Sequence, residues 1–120
     1  MNKKTVFVCD DDVGIVDVVK IVLEEANYNV VVSSDSETVL PTVRSLKPDL
    51  ILIDLWMPGL GGEQIIPLLK KDTELAWIPV IIISASKDTR EVAERVGADG
   101  MLHKPFDIAE LERIVKKHLS

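Results

Sequence analysis

Four short apolar runs in this chain end on polar side chains. Thr5-Val-Phe-Val-Cys9 runs into Asp10-Asp11, Asp49-Leu-Ile-Leu-Ile53 into Asp54, Pro79-Val-Ile-Ile-Ile83 into Ser84, and Gly100-Met-Leu-His103 into Lys104. Between such runs lie longer amphipathic stretches. Strands of about five or six residues alternating with helices of ten or more are the pattern of repeated βαβ units. In an open parallel sheet the carboxyl ends of the strands lie along one edge, and that edge is where ligands bind. Parallel packing of these runs therefore gathers the carboxylates of Asp10, Asp11 and Asp54, the hydroxyl of Ser84 and the ammonium of Lys104 into one pocket.

The rest of the chain divides to match, into five strands and five helices with right-handed crossovers. A first helix is expected over residues 14–26, with Ile15, Val18, Val19, Val22 and Ala26 as its core stripe. The second strand covers residues 28–32. Ser34 and Glu37 have the spacing of a capping box opening a second helix that runs to Leu46, before Pro48. A loop at residues 57–62 leads to a third helix opened by Glu63. A fourth spans residues 87–96 and ends at Gly97, and a fifth, capped by Asp107 and Glu110, runs to His118. Pro41 and Pro67 fall inside helices and are expected to kink or end them.

At 120 residues the chain reads as one domain, residues 1–120, able to bury a real core. A content of 47% hydrophobic and 28% charged residues is globular. The net charge of −6 argues against direct nucleic-acid binding, which needs a basic face. The single cysteine, Cys9, lies in a strand and reads as a small core hydrophobe; with no internal disulfide possible, a reducing, cytoplasmic compartment fits. Met1-Asn-Lys-Lys4 precedes only a short apolar run that reaches Asp10, so no signal peptide is read, and no apolar stretch approaches a membrane span.

Three carboxylates at one sheet edge repel one another, and burial raises their pKa values. A hard divalent cation relieves both problems, and magnesium suits carboxylate oxygens, retained water and phosphate. Phosphoryl transfer needs positioning and charge neutralisation more than covalent help. Asp54 can attack phosphorus as a carboxylate nucleophile, with the metal held by Asp11 and Asp54. Lys104 can neutralise one phosphoryl oxygen, and the Ser84 hydroxyl can donate to another. Read alone, the aspartates could be helix N-caps, Lys104 a surface lysine and Ser84 a turn residue; the five together point to this chemistry.

With these residues placed, the chain resembles the receiver domain of two-component response regulators. The matching stretches are Val8-Cys-Asp-Asp-Asp12, Pro48-Asp-Leu-Ile-Leu-Ile-Asp54, Met57-Pro58-Gly59, Ile78-Pro-Val-Ile-Ile-Ile-Ser-Ala85, Gly97-Ala-Asp-Gly and Lys104-Pro-Phe106, in family order along the whole chain. The resemblance implies a flavodoxin-like, doubly wound α/β fold: a five-stranded parallel sheet of order 2-1-3-4-5 with helices on both faces. It implies that Asp54 is the phosphoacceptor, Asp11 a direct magnesium ligand, Asp10 a ligand acting through water, and the Trp56 backbone carbonyl the remaining protein ligand. It makes Ser84 the switch hydroxyl and the Lys104–Pro105 bond cis. The donor would be a phosphohistidine on a sensor histidine kinase or histidine phosphotransfer protein. The domain would be a signalling module rather than an enzyme, promoting only its own phosphorylation and dephosphorylation. It would be monomeric, with its helix four–strand five–helix five face available for dimerisation when phosphorylated.

Two positions depart from the family pattern. Met101 stands where a switch aromatic is common, so the inward rotation of a ring behind Ser84 cannot occur. Gly61 stands where aspartate is common. Val8-Cys-Asp10-Asp-Asp12-Val also resembles the nucleophile motif of haloacid-dehalogenase-like phosphatases, but Gly14 replaces that motif's usual Thr or Val and the chain is short for that fold and its cap. A receiver-like module that binds partners without phosphorylation conflicts with the intact five-residue set. The chain stops at Ser120, which leaves open a stand-alone phosphorelay receiver or a piece of a longer regulator or hybrid kinase. Two further expectations concern the rim. The phosphodonor docks over Val13, Gly14, Ile15, Pro105 and Phe106, and the Trp56 indole shields a phosphoryl group on Asp54 from water.

Overall fold

The computed structural model describes residues 3–119. Its strands are β1 (Thr5–Cys9), β2 (Asn29–Ser33), β3 (Leu50–Asp54), β4 (Val80–Ser84) and β5 (Gly100–His103). All neighbours pair in parallel, in the order β2-β1-β3-β4-β5. The helices are α1 (Val13–Glu25), α2 (Val39–Leu46), α3 (Gly62–Lys71), α4 (Thr89–Val96) and α5 (Ile108–Leu119). This is the flavodoxin-like order implied above.

Successive side chains of a strand point to opposite faces of the sheet. Val6 and Val8 of β1, Leu50 and Leu52 of β3, and Ile81 and Ile83 of β4 face one way, against Val19 and Leu23 of α1 and Leu111 and Val115 of α5. Phe7, Cys9, Ile51, Ile53, Val80 and Ile82 face the other way, against α2, α3 and α4. Helices on both faces bury every residue of β3 and β4, which explains runs as apolar as Leu-Ile-Leu-Ile and Val-Ile-Ile-Ile.

The strand ends correct the expected boundaries by one residue. The runs 49–53 and 79–83 become strands at Leu50–Asp54 and Val80–Ser84, so Asp54 and Ser84 are the last residues of their strands, in register with Ile83 and His103. β2 is likewise displaced, from residues 28–32 to Asn29–Ser33.

Helix starts differ for local reasons. Asp12 caps α1, its carboxylate accepting the Ile15 amide, so the helix begins at Val13 rather than Gly14. Its buried stripe is Val16, Val19 and Leu23, with Ile15 and Val22 half-buried; Val18 and Ala26, expected in the stripe, are exposed. The capping box of Ser34 and Glu37 does not form. Asp35, one residue later, accepts the Glu37 amide at 2.9 Å and opens a 3-10 turn, Ser36–Thr38, ahead of α2. An ionised carboxylate at that place is the stronger acceptor. Pro41 falls in the first turn of α2, where the missing N–H costs nothing, and α3 runs through Pro67 to Lys71. The fourth helix starts at Thr89 rather than Lys87. Gly97 ends α4 at φ +83° as expected, and Asp107 accepts the Glu110 amide at 2.8 Å at the start of α5.

Candidate functional site

The carboxyl ends of β1, β3 and β4 and the loop after β5 bring the five expected side chains to one edge. Asp10 follows β1 and is fully buried. Its Oδ1 accepts the Asp12 amide at 2.9 Å. Its Oδ2 lies 2.9 Å from Lys104 Nζ, yet without the alignment of a hydrogen bond, so this buried oxygen keeps unused acceptor capacity. Asp54 is 5% exposed; its Oδ1 accepts the Trp56 amide at 3.3 Å, and its Oδ2 lies 3.6 Å from Lys104 Nζ. Asp11 is exposed at the mouth. Carboxylate oxygens of Asp10, Asp11 and Asp54 lie within 4.8 Å of one another.

Electrostatics set the character of this cluster. Burial, then the Asp10 carboxylate, push Asp54 up to about 7, against the opposing pull of Lys104 and the Trp56 N–H. Burial alone would lower Lys104, but Asp10 and Asp54 outweigh it and hold the ammonium above its ordinary value. One ammonium thus faces two buried carboxylates with a third nearby, and negative charge remains in excess. Hard oxygen donors, an under-used buried acceptor and surplus negative charge together fit a divalent cation such as magnesium.

The remaining residues frame the pocket. The Lys104 amide donates to the Ser84 carbonyl at 2.8 Å, tying the end of β5 to β4, and the Lys104–Pro105 bond is cis. Ser84 is buried and its Oγ accepts the Ser86 amide at 3.0 Å, which leaves the hydroxyl hydrogen available to a ligand. Cys9 is fully buried, with Sγ 3.6 Å from Met57 Sδ, and burial pushes its thiol up to about 12; it serves as core. The Trp56 side chain is 59% exposed.

Beside the pocket runs an apolar groove of about 470 Å³, lined by Gly14, Ile15, Val18, Ala85, Lys104, Pro105 and Phe106. Lys104 joins it to the acidic cluster. Of the expected rim residues, Val13 does not line this groove. It faces a separate cleft with Val16, Asp17 and Val32, while Val18, expected in the core, takes the rim position. Sequence reading also passed over Ser36, a buried hydroxyl bonded to the loop after Trp56. A serine in a polar turn carries no local signal of that contact.

The sequence model described as the response regulator receiver domain matches residues 6–116. The DNA-binding response regulator MtrA of Mycobacterium tuberculosis (strain ATCC 25618 / H37Rv) is 33% identical over 119 residues, an alignment covering 98% of this chain and 51% of MtrA. The chain spans about half the length of the curated relatives it matches. Among solved structures, Vibrio cholerae chemotaxis protein CheY4 superposes with a TM-score of 0.90 at 24% identity, covering 98% of this chain and all of that one. The receiver domain of sensor histidine kinase PA1611 from Pseudomonas aeruginosa PAO1, which holds a magnesium ion in its active-site cleft, gives 0.90 at 23% identity, with 98% of each chain covered.

Proposed function

This chain belongs to the response regulator receiver domain family, the signalling domains of two-component systems, and we propose that within that role Asp54 is its phosphoacceptor. Receiver domains bind magnesium at an acidic pocket and take phosphoryl groups from histidine kinases. Here Asp11, Asp54 and the Trp56 carbonyl would hold the ion directly and Asp10 through water. When bound, magnesium supplies positive charge against carboxylates and phosphoryl oxygens. The observation that carries the reading is the approach of Lys104 Nζ to Asp10 at 2.9 Å and Asp54 at 3.6 Å, inside a three-carboxylate cluster.

In this reading an Asp54 oxygen forms the new bond to phosphorus as the bond from phosphorus to the donor's ring nitrogen breaks. The electron pair leaves on that nitrogen. The Lys104 ammonium neutralises one phosphoryl oxygen, and the Ser84 hydroxyl donates to another. The donor would be a sensor histidine kinase or histidine phosphotransfer protein. Its histidine-bearing helix would lie along the groove of Ile15, Val18, Pro105 and Phe106, which opens directly onto Lys104. Residues 1–120 would act as one receiver module in the cytoplasm, the compartment typical of the family. The acidic domain would bind no nucleic acid itself, and the α4–β5–α5 face would dimerise on phosphorylation. Met101, half-buried in β5, borders that face with Glu110, Arg113 and Lys117.

The phosphatase alternative built on Asp10 is not favoured. Asp10 is fully buried and lies against Lys104, and the matching family is one of signalling domains. Incubation with a small acyl phosphate and magnesium, followed by intact-mass measurement and mapping, tests the assignment. One acid-labile phosphoryl group is expected on Asp54 and none on Asp54→Asn. Undiminished labelling of that variant, or a label on Asp10, would overturn it.

A further inference from the structure

The loop from β3 to α3 begins at the site and is anchored in three places. At its base the Gly62 amide donates to the Leu55 carbonyl at 3.1 Å. Beneath it, Met57 packs against Cys9, the residue before Asp10. At its tip, Ser36 reaches across from the turn after β2. Its Oγ donates to the Pro58 carbonyl at 2.9 Å and accepts the Leu60 amide at 3.3 Å. A single hydroxyl thus holds both sides of Gly59, using its one hydrogen and one lone pair. Ser36 is 4% exposed. The seat is narrow: a Cβ on Gly59, which sits at φ +84°, would stand 3.2 Å from Ser36 Oγ.

We infer that Ser36 is a positioning residue for the magnesium site, holding the loop tip so that the Trp56 carbonyl stays beside Asp10, Asp11 and Asp54. The inference rests on the reading of Trp56 as a ligand. A carboxylate can turn on its own side-chain torsions to meet an ion. A main-chain carbonyl cannot; its direction is the direction of its loop. Magnesium demands near-ideal octahedral geometry, so play in that loop becomes lost affinity. Met57 and Gly62 fix where the loop starts and ends, and Ser36 ties the residues between.

Magnesium affinity of the full chain, measured by titration calorimetry, tests this alongside unfolding temperature in EDTA. Ser36→Ala is expected to weaken magnesium binding about three- to tenfold, the range set by one ordinary hydrogen bond. Gly59→Ala crowds the same hydroxyl and disfavours the loop's turn, so it should also weaken binding. The double variant should lose less than the product of the two, because both break one clamp. Val115→Ala, in the core on the far face, should lower the unfolding temperature yet bind magnesium as wild type does. Wild-type affinity in Ser36→Ala, with binding lost in Asp11→Ala, would overturn the inference and leave the metal assignment standing. Wild-type affinity in Asp11→Ala would remove the assignment and the inference together.

Discussion

Burial and the neighbouring Asp10 carboxylate raise Asp54 from an ordinary 3.8 to about 7. A carboxyl raised on folding binds more protons in the native state between those values, so its contribution to stability is present at low pH and falls as pH rises from about 4 to about 7. Above that range an ionised Asp54 opposes folding until a cation compensates it. In EDTA at pH 8, Asp54→Asn should therefore be more stable than wild type, on the order of 1–3 kcal/mol or about 5–10 °C in Tm. The gap should close near pH 4 and shrink when magnesium is added to both. Equal unfolding temperatures at pH 8 would show that the ionised carboxylate carries no such cost. Trp56 acts on the same carboxylate from outside. Its amide donates to Asp54 Oδ1, and its side chain is more than half exposed. Hydrolysis of a phosphoryl group there needs a water in line with the breaking bond, and an indole offers bulk and a single N–H donor but no acceptor to orient that water. Trp56→Asn should speed decay of the phosphorylated protein about ten- to a hundredfold, a barrier change of about 1–3 kcal/mol. Decay that is unchanged or slower in the variant would show that the indole is not a shield.

Along α1, rotation of the helix decides which residues meet a partner. Val16, Val19 and Leu23 turn to the sheet, which leaves Val18, at 52% exposure, in the groove with Pro105 and Phe106. Val18→Lys thus alters the groove without opening the core. It should slow transfer from a histidine phosphotransfer partner at least about tenfold, the effect of losing one buried apolar contact and adding a desolvated charge. Labelling by acyl phosphate should keep its rate. Val13→Lys, on the other side of the helix, should do less than Val18→Lys. Equal slowing with both donors would place the effect in the site rather than the groove. Helical periodicity shows in the sequence that α1 has an apolar stripe, but this helix has apolar residues on more than one face. Its angle about its own axis is set by the Asp12 cap and by packing on β1 and β2 and against α5.

The sheet is covered on both faces, and the site hangs from its edge. Leu52, fully buried in β3 two residues before Asp54, should cost about 2–5 kcal/mol as Leu52→Ala, because a cavity there has helices on one side and strands on the other. Magnesium acts in the opposite direction. A ligand that binds the native state alone adds about 2.7 kcal/mol at a hundred times its Kd. Tm should therefore climb with magnesium concentration in wild type and stay nearly flat in Asp11→Ala. A parallel climb in the variant would place the ion elsewhere.

The succession of strands and helices along the chain, and the sheet edge on which the polar groups meet, were already determined by the sequence, while the sheet order 2-1-3-4-5 was implied by the resemblance to receiver domains and not by any apolar pattern. Apolar period and run length are local properties, and parallel βαβ units leave few topologies open. Asp10, Asp11, Asp54, Ser84 and Lys104 could be named because each ends or follows an apolar run. Only the tertiary structure decided how these groups share charge. The raised Asp54 depends on the distance and burial it acquires when β1 lies beside β3. It also decided the side of α1 that borders the groove, and the use of Ser36, whose partners lie 22 and 24 residues further along the chain. No local pattern records a contact between two loops. It exists because the sheet brings the ends of β2 and β3 to the same edge, where one hydroxyl can reach both sides of a glycine.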